Sequence, residues 1–207
     1  MRIARGLMVA LLLAVAPGAR AAETKPVPSY DELVAKLQSG DTSIDFQAFR
    51  FAYAETPDFD PNAPPAADKR DLIRSINSGD LGQALDIANT ILAVNYTDID
   101  AHYATFLVYD QRGDQMKAEL HRLIAQGLLK SFTASGDGTT EKTPIVVVAA
   151  AEEYSYLGLK GFRVVREGLV AGNAGPVAAF AVTTYDNQGS TIYFDISRMI
   201  AKMKPTP

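Results

Sequence analysis

The hydrophobic pattern of this 207-residue chain changes period near residue 132, and no single kind of regular element accommodates both periods. Before that point apolar residues recur at helical spacing; after it, β-branched and aromatic runs alternate with Gly-containing turns. A helix buries a stripe of residues three and four apart, whereas a strand buries every second one, so the chain must lay helices against a sheet. The predicted class is α+β. Antiparallel helices over 29–131 pack on a small, mostly antiparallel sheet over 132–204, and a short helix closes the chain. The two halves are read as one domain, because each needs the other to cover its apolar face.

The helical half is well marked. Ser29 with Glu32 three residues on is a capping box, and Tyr30, Leu33, Val34 and Leu37 form one stripe before Ser39-Gly40 stops the helix. A second helix starts near Asp45, with Phe46, Phe49 and Tyr53 on one face, and ends before Pro57. The stretch 57–65 holds four of the eleven prolines and is a loop. Gly79-Asp80 with Ala84 then recurs as Gly113-Asp114 with Ala118, a spacing of 34 residues. That is the period of tetratricopeptide helix pairs, in which such a turn joins two antiparallel helices. In that register Leu81, Ala84, Leu85, Ala88 and Leu92 face inward, and Ile99, His102, Tyr103, Phe106 and Tyr109 line the next helix.

In the second half, 143–148 is a β-branched run, 162–170 a second strand, and 177–185 and 190–196 flank Asp186-Asn187-Gln188-Gly189, a tight loop with positive φ at its end. Ile192, Phe194 and Ile196 fall on one face, Tyr193 and Asp195 on the other. A last helix covers 198–203.

Residues 1–21 are set aside from the fold. Arg2 and Arg5 precede an apolar stretch over 7–16, Pro17-Gly18 breaks it, and Ala19-Arg20-Ala21 places small residues where a signal peptidase reads. Such a segment spans only about 15 Å as a helix, half of a hydrocarbon core, so no stable membrane anchor is expected after cleavage. The mature chain then opens on a disordered lead over 22–28 and is periplasmic or secreted. Losing Arg2, Arg5 and Arg20 takes the basic count from 20 to 17 against 24 acids, and the net charge from −4 to −7. That balance argues against nucleic-acid and anionic-membrane binding, which draw on clustered Lys and Arg. With no cysteine in the chain, disulfides, thiolate metal sites and thiol nucleophiles are excluded.

Ser135-Gly136-Asp137-Gly138-Thr139, then the Val-rich run with Glu152-Glu153-Tyr154, then Ile192-Tyr193-Phe194-Asp195-Ile196, occur in an order that resembles the family called domain of unknown function 4919. The Asp98-Ile99-Asp100-Ala101-His102 helix start and His121 belong to the same resemblance, which covers most of the mature chain. It implies an exported bacterial protein and carries over no catalytic residue.

The chemistry is therefore weighed residue by residue. His102 and His121 are the side chains that titrate near neutrality, and either is a natural base or metal ligand. His102 falls where the repeat places a large aromatic, which favours a packed, hydrogen-bonded core histidine. His121 is either tied to the Gly-Asp-Gly loop or functional. Glu152 and Glu153 point in different directions, so only one enters a given site; both suit the first turn of a helix. Asp137 is a metal candidate beside the histidines and otherwise bonds its own turn. No phosphate loop, nucleophile elbow or His-Glu-x-x-His helix occurs, and no cofactor is expected. The favoured function is a non-enzymatic module binding a protein or peptide through the sheet face carrying Tyr185 and Tyr193, or through the concave side of the helices. The alternative is an envelope hydrolase using His121, Asp137 and one of Glu152 and Glu153, which requires them to converge on one cleft.

Overall fold

The computed structural model describes residues 28–61, 67–173 and 175–203. The expected export signal, the lead up to residue 27 and the end of the Pro-rich loop lie outside them. Helix α1 (Tyr30–Gln38) starts on the complete capping box: the Ser29 hydroxyl accepts from the Glu32 amide, and the Glu32 carboxylate accepts from the Ser29 amide at 2.7 Å. In α2 (Phe46–Tyr53) the Asp45 carboxylate caps by accepting from the amides of Gln47 and Ala48.

Four longer helices follow: α3 (Ala67–Ser78), α4 (Leu81–Val94), α5 (Ile99–Gln111) and α6 (Gln115–Thr133). The two Gly-Asp turns have one shared construction. Gly79 and Gly113 take φ of 75° and 77°, the left-handed conformation that ends a helix at no steric cost, and Asp80 and Asp114 then cap α4 and α6. The 34-residue recurrence is thus a pair of matching helix hairpins, α3–α4 and α5–α6. Small residues let α3, α4 and α5 approach, with Ala84, Ala88, Ala101 and Ala104 buried beside Leu72, Ile91, Leu92 and Val108. Gly127 does the same between α2 and α6, since a Cβ there would stand 2.3 Å from the Phe46 ring.

The strand half holds β1 (Ile145–Val146), α7 (Ala150–Leu159), β2 (Arg163–Ala171), β3 (Pro176–Thr183), β4 (Gly189–Asp195) and α8 (Ser197–Lys202). The sheet order is β1-β4-β3-β2, with β1 parallel to β4 and the other pairs antiparallel. Its inner face, built on Ala178, Phe180, Val182, Ile192 and Phe194, packs into one buried cluster with Leu33, Leu37, Phe49, Ile124, Leu128 and Phe132 from the helices. Residues of both halves thus share a core.

Three expectations need correction. The run over 143–148 forms only a two-residue strand: Thr143 is held in the preceding loop by Gly138 and Asp137, and the Val147 amide makes the last bond to β4, at Asp195, before α7 starts at Ala150. In the β3–β4 loop the positive φ, 61°, falls on Asn187 and not on Gly189; Asn tolerates that conformation through its short polar side chain. Tyr103, placed inward by the repeat register, is exposed, because α5, α6 and the end of α7 leave an open groove at that side of α5.

Candidate functional site

The two histidines meet across the α5–α6 hairpin. Their Nδ1 atoms are 2.9 Å apart, and Nε2 of His102 lies 2.9 Å from the Tyr96 carbonyl oxygen. A carbonyl oxygen only accepts, so Nε2 of His102 carries the hydrogen and its Nδ1 offers a lone pair. His121 must then donate from Nδ1, which leaves its own Nε2 as an acceptor. Burial, with His121 alongside, holds His102 at a pKa of about 3, and burial holds His121 at about 4. The pair is neutral at pH 7, and His102 has 0% exposure. His121 is thus tied to His102, not to the Gly-Asp-Gly loop: it lies twelve residues before the end of α6, about 18 Å of helix from that loop.

The first turn of α7 separates its two glutamates. Glu152 faces Arg50, whose guanidinium is 1% exposed. Nε of Arg50 donates to Oε1 at 2.8 Å and Nη2 to Oε2 at 2.6 Å; Nη2 also reaches the Val146 carbonyl and Nη1 the Ser131 hydroxyl, with the Phe132 ring 4.1 Å from the guanidinium carbon. This bidentate fork ties α2 to α6, β1 and α7 at once. Nearby, the Lys69 ammonium sits 2.9 Å from Asp98, 2.8 Å from Asp100 and 3.2 Å from the Ser155 hydroxyl. Burial alone would lower its pKa, but the two carboxylates reverse that and raise it. A lysine held charged takes no proton from Ser155, whose hydroxyl donates to Asp100 at 2.6 Å instead. This serine is positioned as a structural bridge, not a nucleophile. A cavity of about 30 Å³ lies between the two ion-paired groups, lined by Tyr53, Asp98, Phe132 and Glu152 among others, room for about one water.

Glu153 has the opposite surroundings. Its side chain is 4% exposed, and Oε1 is buried without a hydrogen-bond partner among the described residues. Burial, then the charges of Glu167 and Glu152, push its pKa up to about 8. Its neighbour Tyr154 donates to Glu167 of β2 and sets its ring edge-on to Phe180, so α7 lies over the inner face of the sheet beside β2. That hydrogen bond and burial push the Tyr154 hydroxyl up to about 12.

The other candidates stand apart. Oδ1 of Asp137 accepts from the Thr143 hydroxyl at 2.6 Å and from the amide and hydroxyl of Thr139 at 2.9 Å, bonds that hold its carboxyl below the usual range. Gly138 beside it takes φ 70° and its carbonyl accepts from the Tyr193 amide, so the loop closes the edge of β4. Tyr193 is half-buried opposite Ala179 on the outer sheet face, and Tyr185 is 95% exposed in the hairpin loop. His121, Asp137 and Glu152 are each engaged by different partners: His102, the Thr139 and Thr143 side chains, and Arg50. Among the described residues no group of three or more His, Asp or Glu side chains is placed to hold a metal ion, and no helix is long and apolar enough to cross a membrane. An open groove of about 550 Å³ runs between α5, α6 and the end of α7, with Tyr103, Phe106, Leu129 and Leu159 on its walls and Arg122 at its rim.

With this geometry in hand, comparison with known families is decisive on one point: the model for the domain of unknown function DUF4919 matches residues 24–204, the helical and strand halves together. The chain belongs to the DUF4919 family. No curated protein and no solved structure matches it.

The residues that organise this DUF4919 chain were only partly visible beforehand. The histidine pairing had only a coarse signal: both residues flank the Gly113-Asp114 turn, but His102 lies eleven residues before Gly113 and His121 seven after Asp114, so the turn brings their helices together without fixing the pair. Arg50 had none, being 102 residues from Glu152. Glu167 was also missed, since a charge on a strand reads as ordinary solvent-facing alternation.

Proposed function

We propose that this DUF4919 protein is an exported, non-catalytic module that binds an extended segment of a protein partner in the cell envelope. The observation that supports it is β2. This nine-residue strand ends the sheet, eight of its nine residues are exposed, and no described strand pairs with its outer side. An open edge offers a row of backbone donors and acceptors that an incoming strand satisfies, the recognition mode of strand addition. Val165 at 66% and Leu169 at 71% exposure supply apolar contacts beside it. The signal-like pattern of residues 1–21 supports the compartment.

The test uses the mature protein, immobilised and challenged with envelope extract, beside the double variant Val165→Lys/Leu169→Lys. Both positions are exposed, so the variant should fold, while lysines on an edge strand discourage pairing. A protein retained by the native chain and lost by the variant is the expected result. Nothing retained, or equal retention by both, rejects the reading. N-terminal sequencing of the exported form should begin at Ala22.

A further inference from the structure

Glu153 is the one described carboxylate with a buried, unpartnered oxygen, and it lies beside the open strand, next to Tyr154, which donates to Glu167 of β2. A carboxyl group taken out of water without a partner costs stability, so a fold that keeps one has a use for it or tolerates the loss. Its surroundings narrow the use. Glu167 adds a second carboxylate and Tyr154 a phenol, all next to β2. Two carboxylates and a phenol are too few oxygens for calcium, which takes six to eight. They suit an ammonium or guanidinium group, which needs a few acceptors and an opposite charge.

The register of β2 says where such a cation would come from. Glu167 pairs with Phe180 and Leu169 with Ala178, both on the inner face, whereas Arg166 pairs with Ala181 on the outer face. The register slips between Val164 and Arg166, and this bulge interrupts the edge, which leaves 166–171 as its regular part. Arg163 and Arg166 make no ion pair or hydrogen bond among the described residues, so the outer face of the strand is basic, while its inner side carries the exposed carboxylate of Glu167 and the buried carboxyl of Glu153, which gives up its proton once a cation sits against it.

We infer that the outer edge of β2 over 166–171 accepts a short extended segment of a partner protein, with a Lys or Arg of that segment seated between Glu153 and Glu167. The inference rests on the binding function proposed above and gives it a specificity. A residue added opposite Glu167 shares its face, so it is the basic one. The position two further along meets Leu169 and is apolar; the position adjacent, on the other face, meets Arg166 and is acidic.

A degenerate heptapeptide library selected on the immobilised mature protein tests this. The expected outcome is a consensus with Lys or Arg at one fixed position, an apolar residue two away and an acid next to it. Binding of the selected peptide should weaken about tenfold in Glu153→Gln and in Glu167→Gln, the loss of one charge-assisted hydrogen bond. Glu167 is exposed, so its variant keeps the site testable even if Glu153→Gln perturbs packing; a thermal melt of each confirms folding. Slower amide exchange over 166–171 in the complex should accompany binding. Selected peptides without a basic position, or unchanged affinity in both variants, overturn the inference and leave the binding function standing. No selected peptide at all, or a dimer whose own β2 amides are protected, overturns both.

Discussion

Glu152 and Glu153 are adjacent in the first turn of α7, yet the two sides of that helix treat a carboxylate in opposite ways. On the Arg50 side, Glu152 accepts two guanidinium bonds and the Val148 amide, so its charge is buried and answered. On the β2 side, Glu153 is buried with Oε1 unanswered, and its pKa rises to about 8. Buried polar groups thus fall into two kinds. A satisfied ion pair spanning four elements reads as architecture, because each member already has its partner. An acid beside an open strand, with Oε1 unanswered among the described residues, reads as a site.

The strongest way to break this contrast is to make Glu152 resemble Glu153. Arg50→Met should cost about 3–5 kcal/mol in denaturant unfolding, since it strands a buried carboxylate. The double variant Arg50→Met/Glu152→Leu should recover a good part of that. If Arg50→Met costs less than about 1 kcal/mol, the fork is not the tie described here.

Acidity separates the regions next. Glu153 keeps a proton in the folded chain that the unfolded chain releases above about pH 4.5, so stability should fall as pH rises from about 4.5 through 8, by a few kcal/mol in all. Glu153→Gln should remove that decline in melts across pH 5–9. The histidine pair runs the other way. The unfolded chain takes up protons below about pH 6.5 that His102 and His121 refuse until about 3 and 4, so their contribution is lost as pH falls through that window. His121→Asn should flatten the acid limb, by on the order of 1–3 kcal/mol at pH 4. An unchanged acid limb would mean that the histidines are not buried as a neutral pair.

The smallest effect sharpens the comparison. Glu167→Gln should change stability by less than about 0.5 kcal/mol, as surface substitutions do, while weakening peptide binding. A large loss of stability would make Glu167 part of the architecture too.

Local features were readable in advance because their causes are local. The Ser29–Glu32 box, the Gly79-Asp80 and Gly113-Asp114 turns and the alternation of Ile192, Phe194 and Ile196 each depend on residues a few positions apart, and all are present. The run over 143–148 falls short of a full strand because the loop before it claims Thr143 and α7 begins right after it. The candidate site was legible only as a set of residue types. Nothing in the spacing showed that His121 would face His102, that Arg50 would claim Glu152, or that Oε1 of Glu153 would be buried with no partner among the described residues.

What the sequence determined by itself is the α+β class, the helix ends, the hairpin turns and the membership of the DUF4919 family, which are properties of period, capping chemistry and residue order. Only the tertiary structure decided which charges are answered. A buried polar group takes its partner from whichever element packs against it, and that choice follows from the way α2, α6, α7 and the sheet share one core, with Arg50 reaching across 102 residues to Glu152 while Glu153, one position along, is carried to the open side.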